Sequence, residues 1–392
     1  MQPQDHEQFA HTLLPETTAD EFSRQEFVKS YKLHLASQVS PNTKVVYDKQ
    51  VRPAFEKEHG RAPKNRHEIR KAMNGNNHYQ TWSSLQRTSQ EMMWKSCQGP
   101  VERQLDTLIA ESNKKISAKS AGGTLKLDPE LEIPRYLTAV DIHCQPGGYH
   151  TEVAKDDVAS GAIFERAVYI YAMGQLGPMN DDIGGSTIEY LKSTRPDFAP
   201  KRILELGCST GNSIVPYKDA YPDAELYAVD VAAPMLRYAH ARCESLGVPV
   251  HLSQQNAEHM DFEDGSFDLI VSHILIHETS TTAFRNIMKE THRLLTPGGV
   301  AVHVETPAYK GMDAYDAFIL DWDTYNNNEP FWSKSHEIDP PSAAKEAGFD
   351  PEKTFEAMAP SAYEAAKAKR TNVFQGGDFG GGGFWYLYGF EK

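Results

Sequence analysis

An α/β fold, with a doubly wound and mostly parallel sheet behind a helical extension, is predicted by three observations. Beyond residue 200, short apolar segments alternate with stretches of helical periodicity, the pattern of strand–helix–strand units whose helices cover both faces of a sheet. The run Arg202-Ile-Leu-Glu-Leu-Gly-Cys-Ser-Thr-Gly211 ends an apolar segment near an acid and passes at once into a glycine-bearing turn. Before residue 124 that alternation is missing and the periodicity is helical.

Taken in order, residues 1–20 are polar and acidic and are expected to be a flexible N-terminus, without the basic and apolar regions of a secretory signal. Residues 21–123 read as a helical N-terminal domain, a lid or dimerisation region, broken at Pro41, Pro53, Pro63 and the Asn74-Gly-Asn-Asn77 cluster. Within it Val101, Leu105, Leu108 and Ile109 recur at helical spacing, and Ala121-Gly-Gly123 reads as a linker. Residues 124–184 are a connecting and lid segment. It is extended or irregular to residue 150, where Pro146-Gly-Gly148 demands a turn, and then helical over 160–176. In the block 185–392, strands are expected near 202–206, 225–230, 248–252, 267–272 and 299–305, with a last strand at 384–388. Helices are expected near 186–193, 212–221, 233–246, 281–295 and 341–348. The glycine run 376–383 reads as a flap or hairpin arm.

The glycine turn carries most of the chemistry. A strand, a glycine turn, a helix and a second strand, Leu226-Tyr-Ala-Val-Asp230, ending in a carboxylate form a nucleoside-binding unit. A dinucleotide fingerprint requires G-x-G-x-x-G, and from Gly207 the second and third required positions hold Ser209 and Asn212. The pattern E-x-G-x-x-x-G of Glu205, Gly207 and Gly211 instead resembles motif I of the class I S-adenosylmethionine-dependent methyltransferases, with Ser209 where that family usually has a central glycine. Asn256-Ala257-Glu258, the segment Phe262 to Ile276, and Leu294-Leu-Thr-Pro-Gly-Gly-Val-Ala-Val302 are similar to later motifs of the family in the right order. The resemblance covers roughly residues 185–392 and is nearest to small-molecule enzymes of the UbiE-like, type 11 kind. It implies a Rossmann-like seven-stranded sheet and S-adenosyl-L-methionine as cofactor. It also implies a cofactor site made of Glu205, Gly207, Cys208, Ser209, Gly211, Asp230, Val231, Asn256, Ala257 and Ser272. Asp230 would take the ribose hydroxyls, as a bidentate acceptor can.

Composition excludes other classes. A net charge of −14 argues against general nucleic-acid binding, which relies on Lys and Arg neutralising phosphates. The charge is uneven: residues 24–119 hold 18 Lys and Arg against 9 Asp and Glu, and the remainder 22 against 45. A basic extension docking on an acidic catalytic domain or a second subunit explains this, and a module for a carrier protein or RNA is the alternative. No apolar run approaches membrane-spanning length, so no membrane partner is expected. Cysteines 97, 144, 208 and 243 lack a paired spacing and read as reduced thiols of a cytoplasmic protein.

Methyl transfer needs aligned partners, exclusion of water and, for many acceptors, a base. The candidates follow the fourth strand of the block: His273, His277 and Glu278, with Glu278 orienting His277 or else capping the next helix. His273 and His277, with His303 and Glu305, also suggest a metal. Their order is not that of the zincins, and no metal is expected. The turn Asp141 to His150 offers His143, Tyr149 and His150 as substrate contacts, or is polar surface. Because segments before motif I cover the methionine end in related enzymes, Tyr149, Tyr169 and Tyr171 are further candidates. The aromatic stretch 306–340 adds Trp322 and Trp332 as substrate walls, or forms a local core. The expected function is methyl transfer to a small-molecule acceptor. The alternatives are a carrier-bound, protein or RNA substrate recruited by the basic region, and a non-catalytic cofactor-binding subunit. A homodimer through the helical region is expected.

Overall fold

Strands buried on both faces must be apolar along their whole length, and Ile203-Leu204-Glu205-Leu206 and Leu269-Ile270-Val271 lie at the middle of one sheet. A computed structural model describes residues 8–371 and 383–392. Its strands are β1 (Thr124–Lys126), β2 (Arg202–Leu206), β3 (Glu225–Asp230), β4 (Val250–Gln254), β5 (Phe267–His273), β6 (Leu295–Glu305), β7 (Thr354–Pro360) and β8 (Phe384–Glu391). Their order is β1-β4-β3-β2-β5-β6-β8-β7. Among the described strands, β8 alone runs opposite to the rest, antiparallel to both β6 and β7. Alternate residues feed two cores. Ile203, Leu226, Leu269 and Val302 pack on one face, and Leu204, Ile270 and Ala301 on the other, under helix Thr281–Leu294. Chain order reverses between β2 and β5, so their carboxyl ends open a crevice at the topological switch point.

The sheet is therefore Rossmann-like and doubly wound, with eight strands where seven were expected. The additional strand comes from the segment read as irregular: β1 pairs with β4 through Thr124, Leu125 and Lys126. Three residues are too few to show a period. Gly123 lies so close to Val250 that a side chain there would strike its backbone, so the glycine read as linker also permits the pairing. The aromatic stretch 306–340 contains three short helices, Ala314–Leu320, Trp322–Asn326 and Trp332–Ser335, which the sequence reading did not separate. The glycine run lies outside the described residues apart from Gly383.

Two further expectations are corrected. Pro41 and Pro53 do not break the first helical segment. Helices Ala19–His34, Ser40–Val46 and Arg52–His59 join through wide π-helical turns at Leu35–Val39 and Tyr47–Val51, each immediately before the helix that carries a proline in its first turn. A proline lacks the amide for an i−4 bond and its ring crowds that carbonyl; a wider turn relieves both. The flexible N-terminus does not extend to residue 20. Phe9 N donates to Pro178 O at 2.8 Å, Leu13 is fully buried, and His11 Nε2 meets Glu165 Oε2 at 3.0 Å.

The helical region packs on the sheet domain through a shared core. Helix Asn77–Ala118 sets Met93, Trp94, Val101 and Leu108 against Ala162, Ile163 and Ile170 of helix Ala159–Tyr171 and against Tyr238 and Ala241 of helix Ala233–Leu246. Gly161 admits Tyr238 where a side chain would collide with it. At the centre, buried Glu165 accepts from Arg242 Nε at 2.9 Å and Tyr238 Oη at 2.5 Å. The basic surface is also used internally. Arg66 and Arg70 pair with buried Asp321, Arg66 also reaches Glu337, and Arg87 Nη1 donates to Asn326 O at 2.7 Å. Among the described residues, no helix is long and apolar enough to cross a membrane.

Burial alone would raise the Glu165 carboxyl, but Arg242 and then His11 outweigh it and bring its pKa down to about 2, from 4.5. Its contribution to stability is present above about pH 4.5 and is lost as pH falls toward 2. Glu165→Gln leaves Arg242 buried without its counter-charge. Urea unfolding at neutral pH should show a loss of roughly 3–5 kcal/mol; a change under 1 kcal/mol would contradict this assignment.

Candidate functional site

A cavity of about 240 Å³ lies over the carboxyl ends of β2, β3 and β5. One end is built by the glycine turn. Gly207 has φ +64°, and a Cβ there would stand 2.5 Å from Leu275 Cδ1, so both conformation and space exclude a side chain. The turn delivers Ser209 N to Asp230 Oδ2 at 2.9 Å, while Ala232 N reaches Oδ1 at 2.9 Å. Those bonds hold the carboxylate at the end of β3 and leave each oxygen a further lone pair. Burial raises the Asp230 carboxyl to about 6 against the lowering effect of the two amides, and the charge of Glu278 adds to the rise.

Glu205, Gly207, Cys208, Ser209, Asp230, Val231, Asn256 and Ala257 of the proposed cofactor set all line this cavity. Gly211 and Ser272 do not. Gly211 faces helix Ala233–Leu246, where a Cβ would come 3.3 Å from Cys243 Sγ. Ser272 points to the opposite face of β5 from His273, by the two-residue period of a strand, and bonds His303 Nδ1 at 2.8 Å. The buried oxygens Glu205 Oε2 and Ser209 Oγ have no hydrogen-bond partner in the protein. With Asp230, they give acceptors suited to the hydroxyl and ammonium donors of S-adenosylmethionine. The residues present thus fit the group that the motifs imply.

The other end is built by the turn before the domain and by the stretch after β5. His143, Tyr149, His150, His277, Glu278 and Trp332 line it. His143 and Cys144 have φ +53° and +63°, a left-handed pair that non-glycine residues adopt only when held there. Trp94 Nε1 and Gln90 Nε2 hold it by donating to His143 O at 2.7 and 3.2 Å. These two residues and Met93, all on helix Asn77–Ala118, line the cavity and were missed. Nothing in their local sequence tells which surface of the chain they bury against.

The expected base-and-orienter pair is rearranged. Glu278 does not orient His277. Glu305 Oε2 meets His277 Nδ1 at 2.7 Å, and Ile276 N fixes Glu305 Oε1 at 2.6 Å. Glu278 Oε1 accepts from Tyr149 Oη at 2.9 Å and meets His143 Nε2 at 3.2 Å. Nor does Glu278 cap the next helix; Ser280 does, accepting from Ala283 N. His273 lines the cavity, but its Nδ1 meets Glu205 Oε1 at 2.7 Å and its Nε2 meets Tyr217 Oη at 3.3 Å, so neither nitrogen is free. Burial opposes protonation of His143, yet Glu329 and Glu278 hold its pKa well above 6.5; Glu305 does the same more mildly for His277. Tyr171 lines the cavity and Tyr169 does not: Tyr169 is buried beneath Lys29 and Arg166. Trp322 also lies elsewhere, packed with Tyr79, Trp82 and Phe318, its Nε1 on Ser83 Oγ. Of the sequence grouping His273, His277, His303 and Glu305, only His277 and Glu305 meet directly, while His273 turns to Glu205 and His303 to Ser272. Instead His143, His277 and Glu329 converge, and Glu329 had not been singled out. Its polar neighbours Asn326-Asn-Asn328 within an aromatic stretch were the available signal.

Fold and site together define a nucleoside-cofactor domain of the class I methyltransferase kind. Residues 203–299, about a quarter of the chain, match the family described as "Methyltransferase domain". Those residues thus form a methyltransferase domain within the chain. It is similar to a demethylmenaquinone methyltransferase of Thermus thermophilus, 35% identical over 109 residues, covering 28% of this chain and 49% of that protein. It is also similar to a malonyl-[acyl-carrier protein] O-methyltransferase of Dechloromonas aromatica, 33% identical over 106 residues, covering 27% and 36%. The chain thus spans half or less of the length of these relatives. Among solved structures, phosphoethanolamine N-methyltransferase 2 of Haemonchus contortus aligns over 53% of this chain and 52% of its own, at 16% identity and a TM-score of 0.38.

Asp230→Ala should weaken S-adenosylhomocysteine binding by about a hundredfold in calorimetry, through loss of two charge-assisted bonds. In the wild-type protein the ionised acceptor is present above about pH 6 and lost below it, so affinity should fall as pH drops from 7 to 5. Unchanged affinity in the variant would remove the ribose role from Asp230.

Proposed function

We propose that the protein transfers the methyl group of S-adenosylmethionine to a small-molecule acceptor held against His143, Tyr149, Glu278 and Trp332. One observation carries this reading: the donor end, marked by Gly207 and Asp230, and this polar and aromatic end belong to one cavity. The cofactor supplies an electrophilic methyl on a sulfonium. The protein's part is to align the acceptor and exclude water. Trp332, Tyr171 and Phe164 give apolar walls. A proton leaving an O–H, N–H or S–H acceptor enters the network of His143, His277 and Glu278, where Glu278 is the carboxylate on the cavity wall.

The two relatives act on a demethylmenaquinone and on a carrier-bound malonyl group by their names, so a carrier-borne acceptor is the second reading. Against it, Arg66, Arg70 and Arg87 of the basic region are engaged within the chain. All four cysteines are unpaired, which fits a reducing, cytoplasmic setting.

Incubation with methyl-labelled cofactor and a metabolite extract should place label in the low-molecular-mass fraction. Label found only on protein or RNA would overturn the small-molecule reading. Glu278→Gln should lower turnover on the identified acceptor by roughly a hundredfold, the scale of a lost general base, with S-adenosylhomocysteine affinity unchanged. Full turnover would remove Glu278 from proton transfer.

A further inference from the structure

The polar end of the cavity contains more structure than an acceptor pocket needs. His143, His277 and Glu329 come from three separate segments, the turn before the domain, the stretch after β5 and the helical insertion, and one ligand-type atom of each lies within 4.8 Å of the others. Both imidazoles are held in the same manner. His277 turns Nδ1 to Glu305 at 2.7 Å and directs Nε2 toward Glu329 Oε2, 3.9 Å away. His143 turns Nε2 to Glu278 at 3.2 Å and directs Nδ1 toward Glu329 Oε1 at 3.0 Å. A carboxylate behind each ring fixes the tautomer and leaves the opposite nitrogen facing a shared point. That is how outer carboxylates orient metal-ligating histidines.

Two further observations point to a missing partner at that point. His277 Nε2 and Glu329 Oε2 are buried, on residues 0% and 2% exposed, and neither has a hydrogen-bond partner. Unsatisfied polar atoms so deep are costly and call for an explanation. The charge also fails to balance. Glu278, Glu305 and Glu329 face only two imidazoles, a net single negative charge even with both rings protonated. Nearby Asp323 adds a further acid that interacts with Glu329 and His143, and buried Lys32 is the cation that faces it. Asn327 Nδ2 donates to Glu329 Oε1 at 2.7 Å, which leaves Oε2 as the carboxylate's open atom.

We propose that His143, His277 and Glu329 bind a divalent first-row transition ion, zinc or iron(II) in class, with Glu305 and Glu278 as the outer carboxylates. Two imidazoles and one carboxylate are the donor set of such ions in sites that keep positions open for a further ligand. Bonds of about 2.0–2.1 Å place ligand atoms roughly 3 Å apart on one ion. The separations here close to that by side-chain rotation. His143 and His277 line the cavity, so the open positions face the space assigned to the acceptor. That the ion receives a heteroatom of the methyl acceptor rests on the methyltransferase reading; the ion site itself rests on the side-chain geometry.

The test uses the full chain, stripped with a chelator, and zinc or cobalt(II) chloride as the probe. Calorimetry and metal analysis after gel filtration should give one ion per chain, and cobalt(II) should show ligand-field bands of nitrogen and oxygen coordination. Glu329→Gln and His277→Gln should each lower affinity by at least a hundredfold, and Glu305→Gln by about 10- to 100-fold. S-adenosylhomocysteine binding, measured in parallel, reports that each variant is folded, and His143→Gln stands in should a deeper substitution not fold. No stoichiometric binding by the wild-type chain, or affinity unchanged in the folded ligand variants, would overturn the ion site. An ion bound without any S-adenosylhomocysteine binding would overturn the methyltransferase reading and leave the ion site standing.

Discussion

The carbonyl of His143 accepts from Trp94 Nε1 and Gln90 Nε2, and through those two bonds the long helix of the first hundred residues sets the wall of the cavity. His143 and Cys144 would not remain left-handed on their own; the conformation costs of order 1–3 kcal/mol per residue. Trp94 is itself immobilised in the core shared with Ala162 and Tyr238. Packing far from the cofactor therefore fixes where an imidazole points. The polar end of the site cannot form from the sheet domain alone.

Charge follows the same division of labour. The positive excess of the first hundred residues is spent largely on contacts within the chain, with Arg66 and Arg70 on Asp321 and Arg103 on Glu21. The negative excess is concentrated in the sheet domain, and part of it lines the cavity as Glu205, Asp230 and Glu278, with Glu305 and Glu329 against the cavity's histidines. A positively charged donor and an additional cation both suit that interior. A polyanion does not.

What was legible in the sequence was whatever depends on neighbours along the chain. The strand–turn–strand from Arg202 to Asp230 could be read because Gly207 and Asp230 are tied by local geometry, and the helices at 233–246 and 281–294 show their periods plainly. What was missed depends on partners distant in sequence. Glu305 rather than Glu278 backs His277 because the sheet brings β6 beside β5, and adjacency in the chain says nothing of that. Ser272 and His273 were both assigned to the crevice, although neighbouring strand residues face opposite ways. β1 was too short to show a period, and the role of Gln90 and Trp94 appears only once their helix is docked.

The π-helical turns before Pro41 and Pro53 govern register as well as relieving the prolines. Each holds an additional residue per turn, and an α-helix advances about 100° per residue. Beyond the first, the Tyr47 ring packs tilted against Tyr315 at 4.9 Å and Thr43 Oγ1 bonds Tyr315 Oη at 2.7 Å, which docks this arm on the insertion that carries Glu329. Losing a single residue from the first turn would rotate the downstream face by roughly a quarter-turn and carry those contacts off the insertion. The arm therefore acts as a gauge of fixed length. Relatives that share this arrangement should vary its residue identities far more freely than its residue count.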